Sequence, residues 1–191
     1  DYYSINLETG IRESLLMGHD DHISLSGMGK YAIWYVSKDK AWYCKDFSKR
    51  YLKKISGNVT VSFTQEIHDT PNKPNIYGIA GWTKDDKFVL IYDRYDIWKM
   101  DPTGKANPVR LTKGRETQTQ FRIITLDRDI EYIDVKSDIF LKHFNEETKK
   151  SGYAKISIKK GNTNILCIGD KKFSYPIKSK NADKLIWRSS S

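Results

Sequence analysis

The chain has 191 residues, 38% of them hydrophobic and 13% aromatic, and a formal net charge of +9. This length suits one ordinary domain or part of a larger protein, and the apolar runs fall far short of the roughly 20 residues that a transmembrane helix requires. The excess charge lies in residues 149–191, where eleven basic side chains accompany two acidic ones. These lysines alternate with apolar residues and turns, as on solvated strand edges, so we expect neither a membrane span nor a nucleic-acid partner.

Two kinds of strand alternate along the chain. Apolar runs that follow a short polar turn and a lysine occur at GKYAIWYV (29–36), DKFVLIYD (86–93) and DKLIWRS (183–189). Strands with an aromatic residue near their start occur at 2–10, 41–46, 96–101 and 152–161. Each strand of the second kind ends in a turn and is followed by a shorter third run. Aromatic and β-branched residues interrupted so regularly by turns favour an all-β fold over a helical one.

The aromatic strands recur at a spacing typical of repeat proteins. Their markers Tyr3, Trp42, Trp98 and Tyr153 are separated by 39, 56 and 55 residues. The run FVLIY (88–92) is apolar at every position, and because successive side chains of a strand point to opposite faces, such a strand must be covered on both faces. Small four-stranded antiparallel sheets stacked face to face around an axis meet this requirement.

We therefore predict an all-β protein that forms a β-propeller arc of about three to four four-stranded antiparallel blades, as a fragment of a larger propeller. The single propeller segment, 1–191, divides into the end of a blade (1–18), a blade (19–58), a blade with an insertion loop at 64–76 (59–114), a blade (115–170) and the start of the next (171–191). Blade edges exposed at the two ends of such an arc favour further blades in a longer parent chain or self-association.

Three longer strings carry a family resemblance. They are GWTKDDKFVLIYDRYDIWKMDPTGKANPVRLT (81–112), IFLKHFNEETKKSGYAKI (139–156) and YPIKSKNADKLIW (175–187). The first resembles the repeat of TolB-like propellers, and together they are similar to the N-terminal propeller of large bacterial members of the prolyl oligopeptidase family. The resemblance covers most of the chain from about residue 19. It implies a serine peptidase, hence a hydrolase acting in proteolysis, whose propeller shields a C-terminal α/β-hydrolase domain, with a periplasmic or secreted location.

The residues for the hydrolytic step are absent from these 191 residues. An α/β-hydrolase carries its nucleophile in G-x-S-x-G, and the nearest approach, SLSGMG (24–29), has Ser24 where the first glycine should stand. We therefore expect a non-catalytic propeller segment that gates and orients peptide substrates for a hydrolase domain elsewhere in the parent chain. The alternative is a stand-alone TolB-like scaffold that binds a protein or an anionic ligand.

Four residues are candidates for facing a substrate: His68, Asp69, Arg94 and Asp96. The first two lie in the irregular segment 64–76, which contains two prolines and could form a lip at the central opening or an ordinary loop. The other two lie in DRYD (93–96), a polar hairpin whose charges could instead pair across the turn.

Two further polar groups have weaker interpretations. In dipeptidyl-peptidase relatives a pair of propeller glutamates captures the substrate's amine, but the surroundings of Glu146 and Glu147 do not match that motif, and we interpret them as a solvated loop. The string HDDH (19–22) contains residues that bind metals but lacks the spacing of a zinc site. We therefore predict no metal, no cofactor and no catalytic residue in this chain.

Overall fold

The computed structural model describes residues 1–18, 22–49, 51–127 and 129–190. Strand accounts for 43% of the chain and helix for 3%, so the all-β prediction is confirmed. The strands are β1 (Tyr2–Ile5), β2 (Arg12–Leu16), β3 (Ser24–Leu25), β4 (Tyr31–Val36), β5 (Ala41–Asp46), β6 (Tyr51–Lys54), β7 (Ile79–Trp82), β8 (Val89–Tyr92), β9 (Ile97–Met100), β10 (Val109–Arg110), β11 (Thr119–Ile123), β12 (Ile139–Asn145), β13 (Ser151–Ser157), β14 (Asn162–Gly169), β15 (Lys172–Phe173), β16 (Ile177–Lys178), β17 (Leu185–Ile186) and β18 (Ser189–Ser190). Two single-turn 3-10 helices, Lys84–Asp86 and Arg115–Thr117, are the helical segments of this part of the chain.

Twelve of the strands form three four-stranded antiparallel sheets, each in simple chain order. The first sheet contains β3 to β6, the second β7 to β10 and the third β11 to β14. Among the described residues, β1 and β2 pair only with each other, and the last four strands form two short pairs, β15 with β18 and β16 with β17. The predicted four-stranded antiparallel sheets are therefore present, whereas their arrangement as blades of a propeller stays a prediction.

The second sheet is covered on both faces. Val89 and Ile91 of β8 belong to a core cluster with residues of the first sheet, among them Ile33, Trp42 and Cys44. Their neighbours Leu90 and Tyr92 belong to a second cluster with residues of the third sheet, among them Phe121, Leu141 and Ile156. Because adjacent side chains of a strand point to opposite faces, β8 contributes alternately to two cores. This explains why its sequence is apolar without interruption.

Asx turns connect three of the strands that contain the aromatic markers, β1, β5 and β9, to the next strand along the chain. Asp101, after β9, accepts hydrogen bonds from the N–H of Thr103 at 2.8 Å and from its hydroxyl at 2.7 Å. Asp46, the last residue of β5, accepts the same pair from Ser48. Asn6, after β1, accepts the N–H groups of the residues two and three positions on. An oxygen of this kind closes a turn by replacing a backbone acceptor. The β1–β2, β5–β6 and β9–β10 connections are thus of one type.

The C-terminal strand pairs form a single irregular hairpin that packs on the third sheet. Lys172 and Phe173 pair with Ser190 and Ser189, and the pairing resumes closer to the turn between β16 and β17. The ring of Tyr153 in β13 lies 5.6 Å from the rings of both Phe173 and Trp187, each in an edge-on arrangement. The hairpin therefore covers the face of the third sheet opposite to the second sheet.

In the described part of the chain, no helix is long and apolar enough to cross a membrane.

Candidate functional site

The hairpin between β8 and β9 is shaped by a buried carboxylate. Asp93 is fully buried, and its Oδ1 accepts the N–H groups of Tyr95 at 2.7 Å and Asp96 at 2.6 Å. Its Oδ2 accepts the indole N–H of Trp98 at 3.0 Å and lies 3.6 Å from the guanidinium of Arg115. Each carboxylate oxygen therefore has partners, as burial of a charge requires. Asp93 thereby fixes the direction in which the following side chains point.

Asp96 ties this hairpin to the connection between β10 and β11. Its exposed fraction is 0%, and its carboxylate accepts the hydroxyl of Thr112 at 2.7 Å and the N–H groups of Gly114 and Arg115 at 2.5 and 3.2 Å. Burial raises the pKa of Asp96, while these hydrogen bonds act in the opposite direction. The structure therefore places Asp96 in the framework below the surface, where its carboxylate has no exposed area for contact with a substrate.

Arg94 points the other way, towards the turn between β12 and β13. Its Nη2 lies 2.6 Å and its Nε 3.2 Å from the two carboxylate oxygens of Glu146, a bidentate ion pair. The same carboxylate accepts the phenol of Tyr95 at 2.8 Å and the amide of Gln120 at 2.6 Å. Although burial favours the neutral acid, these hydrogen bonds outweigh it and lower the pKa of Glu146. The interpretation of Glu146 as a solvated loop residue is wrong, because only 17% of its side chain is exposed.

A second ion pair comes from the segment between β6 and β7. Glu66 lies 2.6 Å from the guanidinium of Arg115 and 3.7 Å from that of Arg94. Its backbone N–H donates to the phenol oxygen of Tyr77 at 3.0 Å. The guanidinium carbons of both arginines lie 5.1 Å from the ring centre of Tyr95. We name the set of six side chains the Arg–Glu cluster: Glu66, Arg94, Tyr95, Arg115, Gln120 and Glu146.

Arg122 lies beside this cluster and has no ion pair among the described residues. Its guanidinium carbon lies 4.6 Å from the ring centre of Tyr92, and it donates to the backbone carbonyls of Phe121, Asp93 and Arg94. Burial lowers its pKa, although a guanidinium remains charged at any ordinary pH. The guanidinium of Arg122 is therefore held under the hairpin by backbone carbonyls and an aromatic ring.

The other two candidate residues lie outside the cluster. The imidazole of His68 forms hydrogen bonds within its own loop: its Nε2 lies close to the carbonyl oxygen of Asn72 and 3.2 Å from the hydroxyl of Thr70. Asp69 is exposed. The loop that carries them is closed at its base by a bridge between Thr64 and Ile76. The structure thus brings Arg94 together with charges from distant segments but leaves His68 and Asp69 on the loop itself, where a substrate-facing role stays a prediction.

The structure describes only part of the HDDH string (19–22), for which the sequence predicted no metal site. His19, Asp20 and Asp21 of the HDDH string lie outside the described residues. Within the described ranges, no group of three or more histidine, cysteine, aspartate or glutamate residues could hold a metal ion.

The sequence pointed to Arg94 but not to its partners Glu66 and Glu146, nor to Arg115, which pairs with Glu66. These residues are separated from the hairpin by tens of positions, and only the stacking of the sheets brings them together. A signal was available for Glu146. It directly follows β12, and the β12–β13 turn of the third sheet corresponds to the β8–β9 turn of the second sheet.

No protein-family model matches the sequence, and no curated protein matches it either.

Proposed function

We propose that this chain is a segment of a β-propeller that serves as the non-catalytic, peptide-orienting part of a serine peptidase similar to the prolyl oligopeptidase family. The observation that carries the propeller arrangement is β8, whose alternate residues enter one core with the first sheet and another with the third. Successive four-stranded sheets in which the middle one is covered on both faces match the radial stacking of blades.

The Arg–Glu cluster supports a role in orienting peptides. It presents guanidinium donors, carboxylate acceptors and an aromatic ring at one end of the second and third sheets, with Arg94 18% and Arg115 30% exposed. A peptide carries carbonyl oxygens, N–H groups and terminal charges that such a surface can bind through charge-assisted hydrogen bonds. Because all the arginines are already held by carboxylates or rings, little side-chain entropy remains to be lost on binding.

The catalytic step belongs, in this proposal, to an α/β-hydrolase domain that partners the propeller, and further blades complete the ring. The 191 residues contain no G-x-S-x-G sequence, so the chain itself has no catalytic role. A periplasmic or secreted location is part of the same proposal, because it follows from the family resemblance alone. The reading frame of the parent protein is expected to encode G-x-S-x-G followed by aspartate and histidine.

Peptide binding and the absence of hydrolysis test this function together. Fluorescence anisotropy should detect binding of a labelled proline-containing peptide to the purified chain, and Arg94→Ala should weaken it about tenfold by removing a charge-assisted donor. Lys159→Ala, in the β13–β14 turn, is the matched control and should leave binding unchanged. A fluorophosphonate probe should label no serine.

Three results would contradict the proposal. They are peptide turnover that is lost when one of the chain's own serines is replaced, the absence of any peptide binding, and equal affinity of the Arg94→Ala and wild-type chains. A parent reading frame without a hydrolase domain would instead support the stand-alone TolB-like scaffold.

A further inference from the structure

The last strand of the third sheet has a long free edge. β14 (Asn162–Gly169) has eight residues, whereas the last strands of the first and second sheets, β6 and β10, have four and two. Among the described residues β14 pairs with β13 alone, so its other edge has no strand partner. Blades of a propeller contact one another through the faces of their sheets and not through this edge. Further blades of a ring would therefore leave it free.

This edge lacks the charges with which sheet edges commonly avoid pairing with other chains. In β6 the exposed positions include Lys53 and Lys54. No residue of β14 is charged, and its apolar side chains are about half exposed: Ile165 50%, Leu166 49% and Ile168 58%. Its pairing with β13 has one irregularity, a bulge at Leu166. A long, uncharged edge strand of this kind is suited to the addition of a further strand.

Two of these apolar side chains lie on the same face of the sheet. Ile165 lies opposite Ala154 and Ile168 opposite Gly152 in β13, and directly opposite residues share a face. Ala154 belongs to the core between the second and third sheets. Ile165 and Ile168 thus extend the apolar face of that core to the edge of the sheet, where side chains of an added strand would cover them.

A groove of about 290 Å³ adjoins the start of β14. Gly161, the residue before β14, and Lys113 line it together with four apolar side chains: Val109, Leu111, Ile156 and Ile158. The groove lies between β10 of the second sheet and the β13–β14 turn of the third. It offers apolar surface and a basic side chain to one end of a strand that pairs with β14.

Lysines flank β14 at both ends. Lys159 and Lys160 precede it, Lys171 and Lys172 follow it, and Asp170 is the one acidic residue from 158 to 172. All four lysines are exposed, and none of them forms an ion pair within the described ranges. An uncharged strand between unneutralised lysines is complementary to a segment that is uncharged in its middle and acidic at its ends.

The same lysines disfavour the pairing of two copies of this chain through β14. An antiparallel pair that matches the whole of one β14 with the whole of the other places Lys160 beside Lys171 and Lys159 beside Lys172. Like charges directly opposite each other destabilise a sheet. An acidic segment of another protein therefore fits this edge better than a second copy does.

We propose that the free edge of β14 binds an extended segment of a partner protein, apolar or uncharged in its middle and acidic at both ends, which adds a fifth strand to the third sheet. Backbone hydrogen bonds along the edge supply affinity, Ile165 and Ile168 contact apolar side chains of the segment, and the flanking lysines select its acidic ends. The site contains no residue of the Arg–Glu cluster and requires no peptidase role.

Fluorescence anisotropy of the full chain with synthetic peptides tests the recognition. The probe is a fluorescein-labelled peptide in which alternating threonine and valine residues stand between two glutamates at each end. The chain should bind this probe, and raising the salt concentration should weaken binding. The same peptide with lysine in place of each glutamate should bind about tenfold more weakly or worse. With proline in place of each valine the peptide should not bind, because proline has no N–H to donate to the edge.

Charge reversal at the flanking lysines tests the location. Lys159→Glu combined with Lys160→Glu should raise the dissociation constant of the probe by about tenfold or more. Lys53→Glu combined with Lys54→Glu, at adjacent exposed lysines of β6, changes the net charge equally and is the matched control, which should bind like the wild type. Circular dichroism of both double variants should match that of the wild-type chain, because all four positions are exposed.

Hydrogen exchange identifies the strand that the probe covers. Saturating probe should slow amide exchange in residues 162–169 and leave exchange in residues 51–54 unchanged. Arg94→Ala should not alter the affinity for this probe, although it should weaken binding of the proline-containing peptide. Failure of the edge site and failure of the proposed function can therefore be distinguished.

Several outcomes would overturn the proposal. They are a probe that does not bind, equal affinity for the glutamate and lysine peptides, binding of the proline peptide, and equal loss of affinity in the two double variants. Protection by the probe outside residues 162–169 would also contradict it. Protection of these residues that rises with chain concentration in the absence of probe would assign the edge to a second copy instead.

Discussion

In DRYD (93–96) the two aspartates and the arginine between them have different structural roles. Asp93 and Asp96 are buried and hold backbone N–H groups, whereas Arg94 reaches Glu146 at the neighbouring sheet. From the sequence, this hairpin could either face a substrate or pair its charges across the turn. At the residue scale the structure assigns Asp96 to the framework and leaves Arg94 at the surface of the Arg–Glu cluster.

Replacement of Asp96 by alanine should destabilise the chain strongly. The change leaves the Thr112 hydroxyl and the Gly114 N–H without their acceptor, and we expect a loss of about 2–4 kcal/mol in the free energy of unfolding. Asp69→Ala, at an exposed position of the loop, is the control and should change it by about 0.5 kcal/mol at most. Urea denaturation measures both, and equal midpoints for the two variants would show that Asp96 has no framework role.

At the scale of the element, β13 depends on one glycine. A Cβ atom added at Gly152 would lie 2.0 Å from the carbonyl oxygen of Cys167 in β14 and 2.8 Å from Nε2 of His143 in β12. His143 is itself buried, with its Nε2 3.0 Å from that same carbonyl oxygen, and burial lowers its pKa. The strand therefore fits between its two neighbours only when this position carries no side chain.

Gly152→Ala should disrupt the third sheet. A contact of 2.0 Å with backbone cannot be relieved by a side-chain rotation, so the strands must separate, and we expect a loss of about 3 kcal/mol or more. Gly27→Ala is the control, because its added Cβ would meet only a carboxylate oxygen of Asp86 at 3.8 Å. Thermal unfolding monitored by far-UV circular dichroism compares them. A melting temperature unchanged by Gly152→Ala would contradict the packing of β13 against β14.

At the scale of the whole molecule, the two cores share the second sheet. Leu90 and Ile91 are adjacent in sequence and fully buried, yet they belong to different clusters on opposite faces of the second sheet. Because β8 contributes to both, unfolding of either core should remove support from the other. We therefore expect the three sheets to unfold as one cooperative unit.

Leu90→Ala and Ile91→Ala should each lower the free energy of unfolding by about 2–5 kcal/mol, since each leaves a cavity in one of the cores. Val109→Ala, on exposed β10 of the same sheet, should have little effect. In urea, tryptophan fluorescence and far-UV circular dichroism should report the same midpoint for each variant. Two separate transitions in either buried variant would show that the cores unfold independently.

The sequence alone determined the all-β class, the order of the strands and the need of β8 for cover on both faces, because turn residues and apolar alternation act over a few neighbouring positions. The tertiary structure decided which polar side chains meet. Glu66, Arg115 and Glu146 reach the β8–β9 hairpin from segments far away in the chain, and a carboxylate in a loop has the same local sequence whether it is solvated or paired. Such pairing depends on how neighbouring sheets stack, which is a property of the folded chain rather than of any short segment.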